Sequence, residues 1–199
     1  MYGGLPFVLF ITSEEAKIKY LTSLIKNTYL KDVIERHKVH GDVIMETLMD
    51  ILSSDIGSFT NPTKLVNTFT SNSMKVTDKT ISTYIDYLID AFLISKASRY
   101  DIKGKKYIGS PYKYYFVDIG LRNARINFRQ QEGSHIMENI LYNELIIRGF
   151  NVDVGIVERY YRDDNGKHLT SRLEVDFVCN KGSRRIIFNQ HFPFQIKKR

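Results

Sequence analysis

Leu173-Glu174-Val175-Asp176-Phe177-Val178 alternates apolar and acidic side chains with a period of two. That alternation predicts a strand with Glu174 and Asp176 on one face and Leu173, Val175 and Phe177 on the other. Two carboxylates on neighbouring outward positions suit a hard cation such as Mg²⁺. They suit equally the wet face of a half-buried strand. The first reading makes the chain nuclease-like, the second a binding module.

Working outward, strand-like runs occur at 152–161, 173–179 and 185–188. Turns at Asp163-Asp164-Asn165-Gly166 and Asn180-Lys181-Gly182 separate them. Ser134 opens a helix through Ile136, Ile140, Leu141 and Leu145 to Arg148, with Gly149 as the C′ residue. Upstream, residues 113–118 read as a strand, Gly120 turns it, and Pro111 marks a junction. One helix beside a sheet of this size forms an α/β layer.

The N-terminal half is helical in pattern. A capping box at 12–15 predicts a helix to about His37, and its apolar stripe shifts near Asn27, which predicts a bend or two pieces. That helix needs a partner surface, expected to lie outside the chain. His40-Gly41-Asp42 is a break, followed by a helical face over 42–54. Asn61-Pro62 opens a short helix. Thr77-Asp78 opens another, with Ile81, Ile85, Leu88 and Phe92 on one stripe. Residues 92–96, a polar turn at 101–105 and Lys106-Tyr107-Ile108 form a hairpin pattern, with Gly104 able to take positive φ. Three short helices and a hairpin make a winged helix. The whole is read as α+β: an N-terminal helical segment over 1–40, a winged helix over 41–110 and an α/β domain over 111–199.

The 199 residues are enough for one or two domains. A net charge of +7 and a pI near 9.3 favour anionic partners such as DNA or RNA. Cys179 is the only cysteine, so no internal disulfide forms. No apolar run approaches the roughly 20 residues of a membrane span, and the start lacks the basic region of a signal peptide. The chain is expected in the cytoplasm, with no membrane partner.

Candidate chemistry gathers in two places. Glu138, on the helix opened by Ser134, is expected near Glu174 and Asp176, and Gln190 falls where a third oxygen ligand would lie. Two or three such carboxylates holding Mg²⁺, with a Lys near the attacking water, hydrolyse phosphodiesters. Phe192, not Lys, stands two residues beyond Gln190. Lys75, Lys79, Lys96, Arg99, Lys103, Lys105 and Lys106, with Tyr100 and Tyr107, form a phosphate-contacting patch on the winged helix. Asp86 and Asp90 oppose it, and winged helices also bind proteins. His37, His40, His135, His168 and His191 show no zinc spacing, and no phosphate-loop motif occurs.

Tyr2-Gly3-Gly4-Leu5-Pro6, Tyr29-Leu30-Lys31-Asp32-Val33, the run from Thr80 to Leu88, the run from Lys113 to Arg122, Glu138-Asn139, Glu144-Leu145, Arg148-Gly149 and the run from Glu174 to Val178 appear in this order. The series resembles the prokaryotic AAA-type ATPases with a C-terminal DUF4143 domain. The resemblance implies the C-terminal part of such an ATPase: a lid-like segment over 1–40, a winged helix, and a truncated domain similar to the restriction-endonuclease fold. It implies that ATP is bound only by a full-length relative, since the phosphate loop is missing. It maps Glu138, Glu174, Asp176 and Gln190 onto the nuclease-like site, with Mg²⁺ on Glu174 and Asp176. Phe192 in the Lys position and the altered tail after Asn189 point to a degenerate site. Nucleic-acid or partner binding is then expected, beside two alternatives: an Mg²⁺-dependent nuclease, or a non-enzymatic scaffold that docks the ATPase.

Overall fold

The computed structural model describes residues 1–129, 132–162 and 168–189. A 3₁₀ turn, Pro6–Phe10, leads to Ser13, whose side chain accepts from the Ala16 N–H at 3.1 Å and caps α1 (Glu14–Ser23). Such a cap contributes about 1 kcal/mol. A π-helical segment, Leu24–Leu30, follows, and then α2 (Lys31–Arg36). The wide turns fall around Asn27, where the apolar stripe shifts, and keep Leu21, Ile25, Leu30 and Val33 buried.

Gly41 breaks the chain at φ +107 before α3 (Asp42–Ser54). Asn61 caps α4 (Pro62–Ser71) by accepting from the Lys64 N–H at 2.7 Å. Thr77 caps α5 (Asp78–Asp90) through the Thr80 N–H, and α5 packs on α4. Phe92 leaves the stripe assigned to it. The helix ends at Asp90, and Phe92 takes φ +55 with 79% of its surface exposed.

β1 (Ile94–Asp101) and β2 (Lys106–Phe116) then form the hairpin. Its turn takes positive φ at Lys105, not at Gly104. β2 runs on through Pro111, and the boundary between two compact units of the chain falls just after it, between Tyr112 and Lys113. As the edge strand, β2 tolerates the missing N–H. Next come α6 (Ile119–Arg125), α7 (Gly133–Ile147), β3 (Asn151–Arg162), β4 (His168–Lys181) and β5 (Arg184–Phe188). Gly149, at φ +80, ends α7, its N–H donating to the Ile146 carbonyl at 2.8 Å. The fold is α+β, with a mixed five-stranded sheet ordered β2-β1-β3-β4-β5. β1 pairs with β3 in parallel, while β3–β4 and β4–β5 are antiparallel. The hairpin is therefore part of this sheet.

The chain divides into two compact units interleaved in sequence. The first is Met1–Lys96 with Lys113–Ile140; the second is Ala97–Tyr112 with Leu141–Arg199. In the first, α6 is the helix that sequence pattern missed. Asp118 caps it through the Leu121 N–H at 2.9 Å, and α1, α3 and the π-helical segment pack against it. The partner surface that the first helix needs is thus supplied by the chain itself. Asp118 also accepts from the Gly4 N–H at 2.7 Å, and Asn123 donates to the Met1 carbonyl at 2.8 Å. A Cβ at Gly120 would collide with the Tyr2 carbonyl and stand 2.8 Å from the Gly3 nitrogen. Gly120 is a packing requirement, not a turn.

Gly120→Ala should therefore destabilise the protein by about 1–3 kcal/mol in urea unfolding, the range for overpacking a tight contact. Gly109→Ala is the control, since nothing lies within 4 Å of a Cβ there, and should leave the midpoint unchanged.

Candidate functional site

Glu138 lies in the first unit near the start of α7 and is 7% exposed. One oxygen, Oε1, accepts from Lys113 Nζ at 2.8 Å and from Tyr115 Oη at 2.5 Å. The Lys113 and Glu138 side chains are 4% and 9% exposed, so this is a buried ion pair. The other oxygen faces Gly57 (φ +71), where a Cβ would stand 3.4 Å from Oε2 and 3.3 Å from His135 Nδ1. Beside it, Asn139 accepts from the Phe116 N–H and donates to the Phe116 carbonyl, both at 2.7 Å. That amide pairs with the edge of β2 as a neighbouring strand would.

Glu174 and Asp176 lie on β4 in the second unit, Glu174 exposed and Asp176 buried. The alternation expected of this strand is incomplete: Asp176, Phe177, Val178 and Cys179 are buried in succession. Gln190 and Phe192 fall outside the described residues. Among the described residues no group of three or more His, Cys, Asp or Glu is placed to hold a metal ion.

The basic patch divides between the units. Lys75, Lys79 and Lys96 are exposed in the first, while Arg99, half-buried, and Lys103, Lys105 and Lys106, exposed, belong to the second. Asp101 Oδ1 accepts from the N–H groups of Lys103 and Gly104 at 3.1 and 2.9 Å and shapes the lysine turn. Net charge divides more sharply still. Among the described residues the second unit holds 11 Lys and Arg against 6 Asp and Glu, which is +5; the first holds 14 of each.

The register Asp101↔Ile156 carries β3 past the end of β1, toward Arg159, Tyr160 and Tyr161, all exposed. Glu158 accepts from Arg172 Nε at 2.9 Å and from Tyr160 Oη at 2.7 Å. The Tyr160 bond and then the Arg172 bond hold the Glu158 carboxyl below its usual range.

Pattern reading passed over Asp153, which stands between two valines in β3 and is 7% exposed. Tyr107 Oη donates to its Oδ2 at 3.1 Å. Burial raises the Asp153 pKa, against the pull of that hydrogen bond and of Arg185. Burial, then the Asp153 charge, pushes the Cys179 thiol up to about 11 and Tyr142 up to about 12. The lone cysteine is inert at neutral pH. An acid inside an apolar strand run was the available signal.

A family model described as "Domain of unknown function (DUF8612)" matches residues 1–132, about two thirds of the chain. The chain belongs to the DUF8612 family. That match overturns the resemblance to the DUF4143 AAA-type ATPases, and the reading of the chain as the C-terminal part of one falls with it. The DUF8612 span contains the runs from Tyr2 to Pro6 and from Lys113 to Arg122 on which the resemblance leaned. In the structure these two runs pack on each other through Gly3, Gly4, Asp118 and Gly120. They serve a local packing contact, which carries no ATPase identity. The DUF8612 chain is 36% identical over 180 residues to an uncharacterized protein of Haemophilus influenzae, covering 90% of this chain and 42% of that protein. It is 29% identical over 188 residues to an uncharacterized protein of Methanocaldococcus jannaschii, covering 94% of this chain and 39% of that protein. The chain thus spans about two fifths of the length of these curated relatives. No solved structure matches it. Among the described residues no helix is long and apolar enough to cross a membrane.

Two outcomes follow from the buried carboxylates. Lys113→Met leaves Glu138 charged without its counter-charge and should cost about 3–5 kcal/mol in urea unfolding. Adding Glu138→Gln should recover much of the loss. For Asp153 the folded-state pKa lies above its ordinary 3.8. Its contribution is therefore full below that pH and lost as pH rises through the folded value. Asp153→Asn keeps an acceptor for Tyr107 and should gain stability over the wild type at neutral pH. The gain should close below about pH 3.8, as measured by unfolding from pH 3 to 8.

Proposed function

We propose that the second unit is a nucleic-acid-binding module. The observation that carries this reading is the segregation of charge: among the described residues that unit carries a net +5, and the first is balanced. A phosphate backbone is the polyanion that such a surface attracts, and binding releases its condensed counterions. Lys103, Lys105 and Lys106 project from a turn held by Asp101, which keeps three ammonium groups together and in water. Exposed Arg159 lies on β3, the strand parallel to β1, in the part that continues past the end of β1. Lys75, Lys79 and Lys96 sit in the neutral unit, where Asp86 and Asp90 offset them, and are left out of the interface. Nucleic acid as the ligand implies the cytoplasm as the place of action.

Binding of a labelled oligonucleotide, followed by anisotropy, should weaken steeply with salt, log K falling linearly with log salt concentration. Lys103→Glu with Lys105→Glu and Lys106→Glu should weaken binding and lower the slope by about 2–3, each phosphate that a lysine neutralises accounting for about 0.7–0.9 of a unit. No binding at low salt, or binding indifferent to salt, refutes the module. The same mixtures with Mg²⁺ read the nuclease alternative through Glu174 and Asp176. Cleavage that disappears in Asp176→Ala makes the module an enzyme, and an intact strand at high protein concentration removes that role.

A further inference from the structure

Two tyrosines of the basic unit are held in place with their rings in water. Tyr160 is 74% exposed and Tyr107 is 64% exposed. Each is anchored at its hydroxyl. Tyr160 Oη donates to Glu158 Oε2 at 2.7 Å, and Arg172 holds the same carboxylate from Nε at 2.9 Å. Tyr107 Oη donates to Asp153 Oδ2 at 3.1 Å, and its ring meets Tyr100 edge-on, centroids 5.3 Å apart at 74°. The Arg185 guanidinium lies over the other ring of that pair, 4.7 Å from the Tyr100 centroid. Lys106 precedes Tyr107 in sequence and Arg159 precedes Tyr160.

We propose that this unit takes single-stranded nucleic acid, with the Tyr107 and Tyr160 rings each stacking on a base; the proposal rests on the nucleic-acid reading above. A ring fixed at its far end loses little freedom when a ligand lands on it. Every base has a π-face, so stacking adds affinity without demanding sequence. Inside a duplex those faces are covered by neighbouring bases, so only an unstacked strand can use the rings. A phenol bonded to a carboxylate also keeps its proton, and both tyrosine pKa values are raised, so neither ring adds a negative charge beside a phosphate. The setting favours a nucleic acid over a protein partner, because protein interfaces deplete lysine, and three lysines precede Tyr107 closely.

The test compares one DNA sequence as a single strand and as a duplex, at matched salt. The single strand should bind at least about tenfold more tightly. Tyr160→Ala should weaken single-strand binding by about 5- to 150-fold, the span of one base–aromatic stack, and leave duplex binding and the salt slope unchanged. The chain contains no tryptophan, so Tyr160→Trp introduces a single reporter. Its emission should be quenched by the single strand and not by the duplex at equal occupancy. Equal affinity for both forms, with Tyr160→Ala neutral and no quenching, overturns the single-strand proposal and leaves the nucleic-acid module standing. Failure of both forms to bind at low salt overturns the module and this proposal together.

Discussion

In the first unit the carbonyl of Tyr2 lies so close to Gly120 that any side chain there is excluded. That contact lets the N-terminal segment lie flat on α6, with Asp118 and Asn123 holding it through the Gly4 N–H and the Met1 carbonyl. The same short helix turns its arginines the other way. Arg122, 2% exposed, donates to the Ser53 carbonyl at 2.7 Å, and Arg125 donates to Asp50 Oδ1 at 2.5 Å and to the Glu46 carbonyl at 3.0 Å. Both Arg122 and Arg125 thereby tie α6 to α3, and an apolar core of leucines and methionines closes around it. A helix of seven residues has little stability of its own. It persists because nearly every polar group it carries is committed to a neighbour.

The buried pair of Lys113 and Glu138 works by the same logic at higher stakes. Two charges taken from water cost several kcal/mol each before their attraction repays it. The bond from Tyr115 and the two bonds from Asn139 to Phe116 complete the arrangement around β2 and α7. Glu138 is thereby committed to holding α7 against the end of β2. A cation arriving at Glu138 would compete with an ammonium already 2.8 Å away, which makes the carboxylate a poor starting point for metal chemistry in this unit.

Local chemistry was legible in the sequence wherever a single residue type decides it. Asn61-Pro62 and Thr77 open helices because their side chains accept the first free N–H groups, and Gly41 breaks the chain because it tolerates a left-handed backbone. The shift of the stripe at Asn27 marked a real change of helical pitch. Features that depend on distant partners were not legible. Gly120 resembles a turn residue until Tyr2 is known to lie on it. Pro111 does stand beside the Tyr112–Lys113 boundary between the units, but nothing near it says that β2 continues through it as an edge strand. The alternation of Glu174 and Asp176 resembles a half-wet strand, yet β4 is covered on both sides where it nears its end, so the burial runs on through Cys179. Asp153 could be read as an acid in a valine run, but its partner, the Tyr107 hydroxyl, lies 46 residues away and could not. The concentration of charge was hidden for another reason: the two units are interleaved, and their charges average out along the chain.

Within the basic unit three of the acids do more than neutralise charge. Asp101 is engaged with the backbone of the lysine turn, Glu158 with Tyr160 and Arg172, and Asp153 with Tyr107. Each of these three carboxylates holds a positive loop or an aromatic ring in place. At physiological ionic strength a charge is felt over about 8 Å, so the unit's excess of positive charge acts most strongly where its cations cluster. The lysines of the turn therefore present an essentially local positive field, and the tyrosine rings beside them present neutral, pre-positioned faces. A surface built this way separates two tasks, attraction by charge and grip by stacking. Salt acts on the first and leaves the second largely untouched.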